Sequence, residues 1–184
     1  MRRLVLCFAL LACANLASAE TPFQFGVPHN NAPDDPDVNG IRLSIFYGKN
    51  RSVRGLDLGL LSLSETSNLS GVGLVLGMGK VTGEMSGAAA FSLINIHTGR
   101  DRGLNAAFIN LINSAESAVD VGFVNIADGP TMLDVGGLNV ADSSTAQLGF
   151  INVAKKITGF QFGFVNIAKN GFLPVFPIFN FPKK

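Results

Sequence analysis

From about residue 38 to the C-terminus, side-chain character changes with a period of two, the signature of a β-strand whose successive residues point to opposite faces. The clearest stretch is Ile157-Thr-Gly-Phe-Gln-Phe-Gly-Phe-Val-Asn-Ile-Ala168. One parity carries Thr158, Phe160, Phe162, Phe164 and Asn166, and the other carries Ile157, Gly159, Gln161, Gly163, Val165 and Ile167. The same phrase recurs along the chain. Aligned on its asparagine, the copies place Asn95, Asn110, Asn125, Asn139, Asn152, Asn166 and Asn180 at intervals of 13 to 15 residues, with Tyr47, Ser62 and Met78 in that place in three earlier units. A short fixed period of this kind marks a repeat architecture.

Across the units the two faces differ in kind. The first face holds apolar triplets such as Ile41, Leu43, Ile45 and Val119, Val121, Phe123. The second has a polar or charged residue at its middle, in the row Arg42, Asp57, Asn105, Asp120, Asp134, Gln147 and Gln161. Links such as Asp128-Gly129 and Lys169-Asn-Gly171 have hairpin chemistry and leave no room for helices. The unit is nearly its own mirror image, so identical copies can run up and down side by side. The pattern thus predicts an all-β repeat of about ten short strands, an antiparallel meander closed as a β-barrel to remove its edges. A β-solenoid of about 14-residue rungs, its asparagines stacked as a ladder, is the alternative, and it requires each unit to bend at its glycines. With the apolar face outward, a barrel would have an apolar band around a polar, Gly-lined lumen, as membrane barrels do.

The N-terminus reads Met1-Arg-Arg, then an apolar run from Leu4 to Leu11, then Ala17-Ser-Ala19, which is the order of a secretory signal cleaved after Ala19. That run is too short to cross about 30 Å of hydrocarbon as a helix. Leu10-Leu-Ala-Cys13 is a loose lipobox, leaving acylation of Cys13 as a second processing route. Residues 20–39 are rich in Pro, Asn and Asp and read as an exposed lead-in, with Phe23–Val27 echoing the repeat; a single repeat domain then spans 40–181 before a tail of 182–184. Pro177 in the final unit, Phe172 to Phe181, places that unit at an edge, because proline cannot donate to a ladder.

Composition sharpens this. With 47% apolar and 15% charged residues the chain can build a core. Both cysteines, Cys7 and Cys13, lie in the signal, so the mature chain has no disulfide. Loss of Arg2 and Arg3 takes the formal charge from +1 to −1, and no basic run supports nucleic-acid binding. Chemistry is thin. His29 and His97 are read as solvated, without metal-ligand spacing, no serine lies in a nucleophile elbow, and Gly71-Val-Gly-Leu-Val-Leu-Gly77 lies within a strand rather than before a helix. Asp34-Asp-Pro-Asp37 lacks the spacing of a calcium loop. No catalytic, cofactor or metal residue is expected, nor any enzyme activity. The polar row from Arg42 to Gln161 is the one candidate site: it either lines a wetted channel, forms a paired network around Arg42, or is the solvent-facing midline of the sheets.

The repeats, the Tyr47-Gly-Lys-Asn-Arg51 turn, Gly55-Leu-Asp-Leu-Gly-Leu60 and the Phe176-Pro-Ile-Phe-Asn-Phe181 ending together resemble an uncharacterised group of exported bacterial surface-repeat proteins. The resemblance implies export to the outer membrane or cell surface of a diderm bacterium and carries no activity. The expected function is therefore a non-enzymatic outer-membrane or surface protein, structural or weakly pore-forming, with membrane as its partner. The alternatives are a secreted or surface-tethered binding module and a soluble barrel with an apolar ligand.

Overall fold

The computed structural model describes residues 20–28 and 30–183. The expected signal, with Cys7 and Cys13, and His29 lie outside the described residues. The described chain is built of strands: β1 Thr21–Val27, β2 Asn30–Ala32, β3 Asp37–Val81, β4 Met85–His97, β5 Leu104–Ile112, β6 Ala118–Val121, β7 Val124–Ala168 and β8 Val175–Asn180. β3 and β7 each run 45 residues without a break. Straight, each would be about 150 Å long at about 3.3 Å per residue, so both must coil.

The coil is a β-solenoid, and the expected antiparallel barrel is not formed. Neighbouring units pair in parallel, unit over unit: Asn95 lies opposite Asn110 and Asn110 opposite Asn125, while Asn105 lies opposite Asp120 and Asp120 opposite Asp134. Among the described strands only the two at the ends run antiparallel, β2 on β1 and β8 on β7. The solenoid wins because the chain does turn at its glycines. At Gly71, φ is +142°, and a Cβ would come within 2.1 Å of the Gly55 carbonyl oxygen; Gly55 in turn sits on Gly40, and Gly87 on Gly71. Left-handed backbone and contact this close admit only glycine. A second column, Gly122, Gly136, Gly149 and Gly163, lies at the opposite bend, each with its missing Cβ within 2.0 to 2.3 Å of a carbonyl on the rung before. These bends let one unit return over the last without a long connection.

Three expectations on register and burial change with the fold. Gly79, not Met78, lies opposite Asn95. Asn180 leaves the asparagine row and lies opposite Gln161 instead, because β8 runs antiparallel. Residues 20–39 are not a plain exposed lead-in: β1 is laid in parallel on β3, with Thr21 and Gln24 buried. The final unit is an edge strand, with Pro177 in β8.

Buried apolar residues form only small clusters, such as Val38, Val53, Leu69, Val81 and Met85 at one end and Ala154, Ile157 and Ala168 at the other. The rest of the interior is polar. The apolar triplets face outward, with Phe108, Phe123, Phe150, Phe162 and Phe164 all exposed.

Candidate functional site

The parity of the strand dictates where the polar row goes. Once the apolar parity faces out, Arg42, Asp57, Asn105, Asp120, Asp134, Gln147 and Gln161 must point in, and all seven are buried. They do not line a channel. They hydrogen-bond to one another and to nearby polar side chains along one column, which begins at Gln24, the partner of Arg42, and ends at Asn180.

At the N-terminal end, Arg42 is held in a fork by Asp57, with Nε to Oδ1 at 2.8 Å and NH2 to Oδ2 at 2.5 Å. Its other donors go to Asn50 Oδ1 at 2.9 Å and to Ser64 Oγ, and Ser64 also donates to Asp57 at 2.8 Å. A buried guanidinium is tolerable only with partners of this number and geometry. In strand register, Gly73 and then Ala89 come before Asn105, where the polar row resumes. Beside the gap is an interior cavity of about 20 Å³ lined by Asp57, Ser64, Val75, Ser92, Asn95 and His97, about the size of one water.

His97 is not solvated. It is buried and its Nδ1 meets Asp101 Oδ2, an oxygen that also accepts from Asn105 Nδ2 at 3.0 Å. Asn105 Nδ2 donates as well to Asp120 Oδ1 at 2.8 Å. On the next rung Asp134 Oδ2 accepts from Thr131 at 2.8 Å, Ser144 at 2.9 Å and Gln147 at 3.1 Å. Gln161 donates to Gln147 at 2.7 Å. Burial pushes the Asp120 carboxyl up to about 7 against the opposing bond from Asn105, and burial also raises Asp134, although its three donors pull the other way.

The asparagine row is a second interior column. Nδ2 of Asn95 donates to Asn110 Oδ1 at 3.1 Å, and the links from Asn110 through Asn125, Asn139 and Asn152 to Asn166 are each 2.8 Å. From Asn110 to Asn166 each amide also reaches a backbone carbonyl further along the chain, as Asn139 does to Leu148 and Asn152 to Phe162, both at 3.0 Å. Repetition of asparagine was legible in the chain. Asp101, Thr131 and Ser144 were not singled out and His97 was read as solvated; the signal that would have placed all four is their in-register position beside the polar row.

Outside, charge is segregated. Between residues 103 and 168 every charged side chain that is not buried (Glu116, Asp128, Asp142, Lys155, Lys156) lies in the links between units, after the asparagine of one and before the polar-row residue of the next. Some pair across rungs, Lys155 with Asp142 at 2.5 Å and Arg102 with Glu116 at 2.8 Å. The opposite bend is aromatic: Phe108 stacks on Phe123 at 5.2 Å and Phe150 on Phe164 at 5.3 Å. Beside it, Gly136, Gly149 and Gly163 floor a groove of about 430 Å³ walled by Phe150, Phe162, Phe164 and Ile178. Among the described residues no three His, Cys, Asp or Glu side chains are grouped as a metal ion would need. Comparison of the chain with known protein families, curated proteins and solved structures finds no match.

Proposed function

We propose that the chain is an exported, non-enzymatic β-solenoid of the outer membrane or cell surface, which lies against lipid with its aromatic bend and keeps its charged links in water. The observation that carries this reading is the inverted distribution of polarity. A soluble solenoid stacks its apolar residues inside, whereas here amides and carboxylates fill the interior and Phe150 and Phe164 are 64% and 71% exposed. A contiguous apolar surface of this kind marks a site of association. The solenoid does not cross the bilayer in this reading; it lies on it, as amphipathic elements do when one side is apolar and the other charged.

The test is flotation of the mature chain with phospholipid vesicles, beside fractionation of cells expressing the full chain with an alkaline carbonate wash. The wild type is expected to float and to stay with the outer membrane. A Phe123→Ser, Phe150→Ser, Phe164→Ser triple variant is expected to keep its β-sheet circular dichroism and stay at the bottom of the gradient. Recovery of the wild type in the soluble periplasm, with no flotation, would overturn the reading. The groove over Gly149 favours a second reading, a secreted module that holds an apolar ligand, and in that case a fluorescent fatty acid would bind without vesicles.

A further inference from the structure

The two carboxylates at the middle of the polar column are each bonded on one side only. Asp120 and Asp134 lie directly opposite each other on adjacent rungs, with relative exposures of 0% and 1%. Asp120 Oδ2 and Asp134 Oδ1 are both buried without a hydrogen-bond partner. Adjacent strands lie about 4.8 Å apart, so two carboxylates in register on one face are neighbours. Two bare anionic oxygens in that position would repel each other in a poorly solvating interior. Neither residue makes an ion pair among the described residues. Facing Asp120 from β5 are Asn105 and, through it, Asp101 with its His97 partner; facing Asp134 from β7 are Thr131, Ser144 and Gln147. Nothing in that list supplies a cation to the gap. Asn105 cannot turn its carbonyl toward Asp120 either, because its Nδ2 already serves both Asp101 and Asp120.

We infer that Asp120 and Asp134 form a proton-binding site, one proton held between Asp120 Oδ2 and Asp134 Oδ1, which couples the stability of the middle rungs to pH. The donors assign the microstate. Asp134 receives three hydrogen bonds and carries the negative charge, whereas Asp120 receives one and carries the proton, its Oδ2–H donating to Asp134 Oδ1. The upward displacement of both groups agrees, and the proton is a property of the pair.

The sign follows from linkage. In the unfolded chain an aspartate loses its proton near pH 4, whereas the folded pair keeps one to about pH 7. Between those values the folded state binds more protons, so stability falls as pH rises, and it is fully present only below the unfolded value. The experiment uses the mature chain: infrared absorption of protonated carboxyl groups, together with thermal melts from pH 5 to pH 8. The wild type is expected to keep a protonated carboxyl band at pH 5.5, to lose it with a midpoint near 7, and to melt at lower temperature at pH 8 than at pH 5. Asp120→Asn places an amide N–H where the proton was while keeping an oxygen toward Asn105, so it is expected to remove the band and flatten the pH dependence. Absence of the band from the wild type at pH 5.5 would overturn the inference whether or not the variant folds. So would a melting temperature that climbs with pH and with added divalent salt, which would mean a cation in the proton's place.

Discussion

Each asparagine from Asn110 to Asn152 spends both amide hydrogens, one on the next asparagine and one on a bend carbonyl. This explains why an amide, rather than an apolar side chain of the same size, recurs at that place. At the bend the second hydrogen goes to a backbone carbonyl, so the amide serves the backbone as well as the next rung. Asn139→Leu would keep the branched shape while leaving the Asn125 amide and the Asn152 carbonyl oxygen without this partner and removing the bond to the Leu148 carbonyl. At about 1–3 kcal/mol for each buried group left unpaired, the loss should reach about 3 kcal/mol, read as a lower urea midpoint at unchanged slope. A loss within about 0.5 kcal/mol, the range of ordinary surface changes, would mean that the row is not a dry ladder.

At the scale of the element, the bend is set by glycine. A Cβ on Gly149 would sit 2.3 Å from the Gly136 oxygen and 2.6 Å from Asn139 Nδ2, so Gly149→Ala should push two rungs apart and cost about 1–3 kcal/mol, the usual range for overpacking. A melting temperature equal to that of the wild type would show that the bend lies elsewhere. The same glycines explain what could be read from the chain and what could not. Strand content, the repeat and the contrast between faces follow from parity, visible in Phe160, Gln161 and Phe162 without any structure. Strand direction does not, because a unit that reads alike both ways satisfies either pairing, and Gly163 looks the same whether it lines a lumen or makes a corner. The Asp120 and Asp134 pair was visible as a row but not as a contact, since their approach exists only once the rungs run parallel. His97 was misread for a similar reason: a histidine after a strand suggests a turn, and only the rung that brings Asp101 beside it makes it interior.

The whole molecule is closed at both ends by strands that break the pattern. At the N-terminal end Gln24 Nε2 turns to the carbonyls of Pro33 and Asp35, at 3.1 and 2.7 Å, and β2 pairs antiparallel outside β1. At the C-terminal end β8 crosses β7 antiparallel, Asn180 reaches Gln161 at 3.3 Å, and Phe176 offers its carbonyl to Asn166 at 3.1 Å. A repeat stack needs such ends because its last rung otherwise presents a free sheet edge ready to pair. The two caps predict different assemblies when removed. Cutting after Asn170 keeps that residue's bonds to Ile157 but bares the rung that carries Gln161 and Asn166. The N-terminal cap still blocks the other end, so the bared edge can meet only its own copy, and the contact closes as a two-fold dimer. If residues 20–37 are removed as well, both ends are open and heterologous stacking has no closure, which gives fibres. Light scattering in a mild detergent, used to cover the outward phenylalanines so that only the ends can associate, should therefore show a monomer for residues 20–184, a dimer for the single cut and open-ended growth for the double cut. A monomer after both cuts would mean that the rungs hold each other by their interior columns alone and that the antiparallel ends are not caps.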